Sequence, residues 1–266
     1  MAERAIGVFD SGIGGLTVFR ELRRWLPGEE LVYLGDTARV PYGTKSAPTV
    51  CRYAIEAANF LLQQQVKLIV VACNTASAVA LDLLAGQFDV PIVGVIEPGS
   101  RRALEVSRHG RIGVIGTEGT IRSQAYERVI RAGRADVSVT VAACPLFVPL
   151  AEEGWADHPI AAMAAREYLG PLLEQKIDTL VLGCTHYPLL KETLQKTIGD
   201  GVTLIDSAEE TAKTVAALLK QKNLRRGKPS QAAPRYFVTD IPDRFRKVGG
   251  TFLGDSLEEV STVSID

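Results

Sequence analysis

The sequence predicts an α/β protein of two pseudo-symmetric lobes, each a mostly parallel sheet flanked by helices, with a ligand cleft between them. Three observations predict it. Short apolar runs alternate with amphipathic stretches along the chain. The runs are rich in Val and Ile and bounded by Gly, Asp or Pro, as in strands buried on both faces. Three sequence matches also recur in the same order in the two halves.

The expected strands are Ala5–Phe9, Leu31–Leu34, Leu68–Ala72, Ile92–Ile96, Ile112–Ile115, Val137–Val141, Thr179–Leu182 and Val202–Ile205. Between them, Leu16–Leu26 sets Leu16, Phe19 and Leu22 at helical spacing, and Ala161–Leu173 and Thr211–Leu219 are patterned alike. Strand–helix alternation gives parallel sheets covered on both faces.

The repeat is read from three matches. AIGVFDSGIGGLT returns as RIGVIGTEGTIRS, so Ile6 maps to Ile112, a shift of 106. The VP of ARVPYG returns in LFVPLAEEG, and Pro41 to Pro149 is a shift of 108. Cys73 in VVACNTAS returns as Cys184 in VLGCTHYP, a shift of 111. Small loop insertions produce such a growing shift. The division falls near Glu97–Pro98. Residues 98–206 form the second lobe, and residues 1–97 with 207–266 form the first. The tail after Ser207 has no partner in the repeat; with its strand-like YFVTD it is expected to return to the first lobe.

Composition excludes several classes of function. The chain has 266 residues and a net charge of −1, so no basic field asks for nucleic acid. Its short basic clusters, Arg20, Arg23 and Arg24 on a helix and Lys222, Arg225, Arg226 and Lys228 around a turn, read as solvated surface. No apolar run nears the ~18 residues of a membrane span. The opening MAERAIGVFD lacks the apolar core of a secretory signal, so a cytoplasmic setting with reduced cysteines is expected. No C-x-x-C pair and three widely spaced His give no zinc pattern.

Four cysteines remain. Cys51 lies in a helical pattern and Cys144 lacks a following Thr pair; both read as small buried apolar residues. Cys73 and Cys184 are expected at strand ends ahead of helices. Backbone N–H groups there favour an anion and lower a thiol pKa from about 8.5. Two thiols facing one small substrate suit inversion of a stereocentre. One base takes a proton from one face, a second acid returns one to the other, and donors stabilise the carbanion between.

The neighbouring motifs supply polar groups. DSGIGG places its glycines at 12, 14 and 15, which fits neither G-x-G-x-x-G nor a P-loop. It reads as a tight turn offering backbone N–H groups and Ser11 to an anion such as a carboxylate. Asp10 beside it is placed to receive an ammonium group, orient a thiol or cap a helix. Asn74, Thr75, Thr185 and His186 follow the cysteines as short polar arms or helix caps. Tyr42 and Gly43 lie in a Pro-initiated turn, and Glu152 in the matching turn of the second half.

These motifs, together with PIVGVIEP, IGTEGTI and LIDSAEE, resemble the glutamate racemases of the aspartate/glutamate racemase superfamily, from residue 6 to about residue 210. The resemblance implies interconversion of L- and D-glutamate, supply of D-glutamate for peptidoglycan, no cofactor or metal, and a homodimer. It implies that Cys73 acts on the D-isomer with Asp10 assisting, and Cys184 on the L-isomer with Glu152 and His186 assisting. Asp10–Ser11, Tyr42–Gly43, Asn74–Thr75 and Thr185–His186 become substrate-binding pairs, with Thr117 and Thr120 as further contacts. From the residues alone other readings stay open: a racemase of a shorter substrate such as aspartate, a dithiol redox or metal-binding protein, or an amino-acid-binding module. One methylene changes pocket affinity by only about 1–3 kcal/mol.

Overall fold

The computed structural model describes residues 1–265. In chain order its elements begin with β1 (Ile6–Asp10), α1 (Leu16–Trp25), β2 (Leu31–Gly35), α2 (Ala47–Gln63), β3 (Leu68–Val71), α3 (Asn74–Gln87) and β4 (Ile92–Gly94). Then follow α4 (Ile96–Val106), β5 (Arg111–Gly116), α5 (Glu118–Arg122), α6 (Ala125–Gly133), β6 (Ser138–Ala143), α7 (Phe147–Glu152), α8 (Pro159–Glu174), β7 (Thr179–Gly183), α9 (Lys191–Ile198) and β8 (Thr203–Asp206). The tail holds α10 (Ser207–Gln221), β9 (Arg235–Val238), α11 (Pro242–Leu253) and β10 (Ser261–Thr262).

Two sheets result, ordered β10-β9-β2-β1-β3-β4 and β6-β5-β7-β8. Every strand pair in both is parallel. The second order repeats the β2-β1-β3-β4 portion of the first. In each sheet the chain starts centrally, steps to one side, then crosses to the other. The crossing creates a switch point, between β1 and β3 and between β5 and β7. Ligands of open α/β sheets bind outside the carboxyl ends of strands at such points. Asp10, Cys73, Thr117 and Cys184 all lie at these ends.

Burial explains the strand composition. Every residue of β1, β2, β3 and β7 is buried, which suits Ile, Val and Leu without alternation. The edge strand β6, SVTVAA, is only partly covered and carries Ser and Thr. In α1, Leu16, Phe19 and Leu22 face the core while Arg23 and Arg24 close the last turn, where cations favour the helix dipole. A continuous apolar cluster runs from Ile6 and Val8 through Phe19 to Ile112, Val181 and Val215, joining the two sheets through their helices. A second cluster, with Phe9, Val71 and Leu61, fills the other face of the first sheet.

The tail adds β9 beside β2 and β10 beside β9, extending the first sheet. Its helix α10 follows β8 as α4 follows β4, and the two helices pack together along with α1. Thus α10 is the structural counterpart of α4, although the sequence beyond Ser207 shows no readable match to the first half. The expected division at Glu97–Pro98 falls inside α4. Among the described residues, no helix is long and apolar enough to cross a membrane.

Candidate active site

A pocket lies where the carboxyl ends of both sheets meet. It is lined by Ser11, Gly12, Ile13, Val40, Pro41, Tyr42, Gly43, Cys73, Asn74, Thr75, Thr117, Val148, Glu152, Cys184, Thr185 and His186. Its volume open to the centre of a water-sized sphere is about 60 Å³. One water needs about 10–15 Å³ on that measure, so the pocket suits one small solute. Eleven of the thirteen residues expected from sequence line it; Asp10 and Thr120 lie behind the wall. All four cysteines are unpaired. Cys144 is buried away from the pocket, and its carbonyl accepts from Tyr187 Oη at 2.8 Å.

Cys73 is itself the cap of α3: its Sγ accepts from the Ala76 N–H at 3.5 Å. Thr75, expected as a possible cap, instead turns its hydroxyl to Thr117 at 2.9 Å and Thr120 at 3.2 Å, while Thr117 and Thr120 stand 3.1 Å apart. This triangle of hydroxyls ties α3 to α5. The cap does not lower the Cys73 thiol as the sequence suggested. Burial and the neighbouring Asp10 charge push it up to about 12, outweighing the Ala76 N–H and the Ser11 hydroxyl. Burial likewise raises Asp10, with the His186 charge and the N–H groups of Gly12, Gly15 and Ser11 pulling back only in part. Asp10 does not cap α1. Its Oδ2 accepts from Gly12 N at 3.0 Å, shaping the DSGIGG turn.

Cys184 has different company. It precedes one turn of 3-10 helix, Tyr187–Leu190, that runs directly into α9, so a helix follows it as expected, tighter at its start than α3. Its Sγ lies 3.8 Å from His186 Nδ1, and His186 Nε2 lies 3.0 Å from Glu152 Oε1. Burial opposes charge on the ring, yet the contacts with Cys184 and Glu152 prevail and raise His186 to about 10. At neutral pH the ring is an imidazolium. The His186 hydrogen bond holds Glu152 below the usual carboxylate range against the cost of burial, and Arg244 adds to it. Glu152 ends α7 rather than lying in a turn, because Phe147, Leu150 and Ala151 bury one helical face.

Close backbone approach joins the two walls. A Cβ on Gly14 would stand 2.3 Å from Thr185 Oγ1 and 2.5 Å from the His186 ring. One on Gly43 would stand 2.7 Å from Thr117 Cβ. Only glycine permits these approaches. Thr17 Oγ1 also donates to the Thr185 carbonyl at 3.0 Å. Tyr42 donates to the buried Asp36, which also accepts from Thr239 Oγ1 at 2.9 Å, so the Tyr42–Gly43 turn is anchored to the tail.

Sequence reasoning missed the apolar wall of Ile13, Val40, Pro41 and Val148, although the repeated VP pair was a signal for it. It also missed Tyr126, whose hydroxyl donates to Asn74 Oδ1 at 2.7 Å and leaves the buried Asn74 Nδ2 without a partner. No repeat match or motif marked Arg244. No Lys or Arg is among the lining residues. An anionic solute would meet hydroxyls, an amide and backbone N–H groups. Among the described residues no cluster of three or more His, Cys, Asp and Glu has an arrangement that could hold a metal ion.

Comparisons with known proteins show the family. Residues 6–215 match the family described as Asp/Glu/Hydantoin racemase. A glutamate racemase of Geobacter metallireducens is 57% identical over 266 residues, covering 100% of this chain and 98% of its own. A glutamate racemase structure from Bacillus anthracis superposes with a TM-score of 0.96 at 40% identity, covering 99% of this chain and 98% of the other. One from Francisella tularensis, in complex with D-glutamate, gives a TM-score of 0.94 at 40% identity, covering 100% and 99%. With the family match spanning residues 6–215 and a relative 57% identical along the whole chain, the chain belongs to the Asp/Glu/Hydantoin racemase family.

Proposed function

We propose that the protein interconverts L- and D-glutamate by a two-base mechanism in which Cys73 and Cys184 exchange the α-proton, without a cofactor. The observation that carries the reading is that both thiols, one from each sheet, line one pocket of small-solute size. The substrate is supported by the relatives, glutamate racemases by name, one of them in complex with D-glutamate. The two sheets' surroundings, residues 1–97 with 207–266 and residues 98–206, are taken as the two lobes that present the thiols.

The chemistry follows from the neighbours. L-glutamate meets Cys184, whose sulfur lies 3.8 Å from His186 Nδ1. The thiolate takes the α-proton. Charge develops on the substrate carboxylate, where Asn74 Nδ2, the Thr75, Thr117 and Thr185 hydroxyls, and backbone N–H groups of the DSGIGG turn are available as donors. Cys73, held as a neutral thiol, returns a proton to the other face. The reverse path starts with Cys73 as thiolate on D-glutamate. Tyr42 and Gly43 close the substrate's side of the pocket.

The reading extends to a homodimer in the cytoplasm that supplies D-glutamate for peptidoglycan. Its direct test is exchange in deuterated water. Purified protein given either isomer, with nothing added, should incorporate deuterium at the α-carbon as it racemises. Absence of exchange from both isomers would remove the reading. An aspartate arm in the same assay tests substrate length.

A further inference from the structure

Helix α11 lies in the tail that extends the first sheet, yet it reaches the Cys184 side of the pocket at two points. The Phe252 ring packs edge-on against His186, centroids 5.2 Å apart. One helix end away, Arg244 Nη2 donates to Glu152 Oε2 at 3.0 Å. Glu152 is therefore shared, with Oε1 on His186 and Oε2 on Arg244. Arg244 also lines a second cavity of about 250 Å³, which shares Gly12, Ile13, Val40 and Glu152 with the substrate pocket and opens beside it. The helix is preceded by Ile241, whose φ of +46° is unusual for a β-branched residue, and Ile241 and Arg244 both line this cavity.

We propose that Arg244 is a positioning residue for the Cys184 half of the reaction: it holds Glu152, and through Glu152 the His186 ring, against that thiol. The proposal rests on the two-thiol reading above. Arg244 touches no lining atom of Cys73, and its bond to Glu152 fixes the one carboxylate rotamer that keeps Oε1 on the ring. A carboxylate released from Arg244 would regain its rotamer freedom and place the ring less often at the sulfur.

A racemase offers a sharp way to detect an effect confined to one side. The two isomers have equal free energy, so kcat/KM must fall equally in both directions whatever is mutated. The α-deuterium isotope effects need not. Slowing the Cys184 step makes it limiting in both directions, and only α-deuterated L-glutamate transfers its deuteron in that step. The effect with labelled L-glutamate should therefore grow, and the effect with labelled D-glutamate should shrink.

The experiment measures both isotope effects on kcat/KM for wild type, Arg244→Ala and Arg244→Lys, with thermal unfolding as a check on folding. Arg244 is half exposed, and loss of one charged hydrogen bond at that exposure predicts a fall in kcat/KM of about three- to tenfold for Arg244→Ala. The ratio of the L to the D isotope effect should rise, and Arg244→Lys should fall between Arg244→Ala and wild type on both readouts. If Arg244→Ala does not fold, the intermediate rise in Arg244→Lys carries the test. An unchanged ratio, as a general loosening of the cleft would give, overturns the proposal. Wild type that exchanges neither isomer overturns the two-thiol reading and this proposal together, whereas normal wild type with a symmetric variant overturns this proposal alone.

Discussion

Around Cys73 the neighbours are an acid and neutral donors: Asp10, the Ser11 hydroxyl and the Ala76 N–H. Around Cys184 they form a charged relay of His186, Glu152 and Arg244. The two thiols leave corresponding strands, β3 and β7, each paired to the central strand of its sheet. Backbone geometry was thus repeated while charge was not. The difference has a chemical use. A two-base reaction needs one acid and one base at every moment, and two thiols in identical surroundings would tend toward the same protonation state. Here burial and Asp10 keep a proton on Cys73, while an imidazolium faces the sulfur of Cys184.

The strongest way to break the comparison is to remove either thiol. Cys73→Ser and Cys184→Ser should each lower racemisation by about a thousandfold or more, since a serine hydroxyl is a far weaker acid than a thiol. Each should keep slow one-sided exchange with deuterated water, of L-glutamate in Cys73→Ser and of D-glutamate in Cys184→Ser. Wild-type turnover by either variant would show that the thiols are not a pair.

A smaller change sharpens the comparison by disturbing the neighbours alone. His186→Gln should cost about a hundredfold, within the range for acid–base partners. It should raise the L-over-D isotope ratio. Asp10→Asn should cost less and move the ratio the opposite way, because it acts on Cys73. The same direction in both variants would mean that the neighbours do not serve separate thiols.

The smallest effect is on stability. The folded His186 pKa of about 10 exceeds its ordinary value of 6.5, so the folded state holds this proton more tightly. The stability it contributes is fully present below pH 6.5 and is lost as pH rises toward 10. Thermal midpoints of wild type and His186→Gln should therefore converge between about pH 6.5 and 9, with wild type falling. A constant gap across that range would contradict the charged ring.

Much of this was legible in the chain. All eight expected strands form, each within a residue or two at its ends, because runs such as LIVV and TLVLG bury both faces. Most of the pocket was legible because its residues sit beside repeated motifs. Three features were not. Helix α7 hides in LFVPLAE, where Pro149 suggests a turn although Phe147 and Leu150 seal one face. Helix α11, PDRFRKVGGTFL, carries Gly249 and Gly250, which weaken its helical signal; close contacts to Leu16 and Leu257 leave no room for a side chain at Gly249. Arg244 lies 92 residues from Glu152, a separation at which no local pattern operates.

By itself the sequence determined the parallel α/β architecture, the duplication and the pair of cysteines, because these rest on periodicity, strand composition and repeated short motifs, all of them local. Only the tertiary structure decided the surroundings of each thiol. The sequence placed both cysteines where helix N–H groups should favour an anion. Folding buried Cys73 beside Asp10, led Cys184 into a 3-10 turn ahead of α9, and set His186, Glu152 and Arg244 in line behind it. Electrostatic energies depend on distance and desolvation, and both quantities exist only once the two sheets and the tail have closed around the pocket.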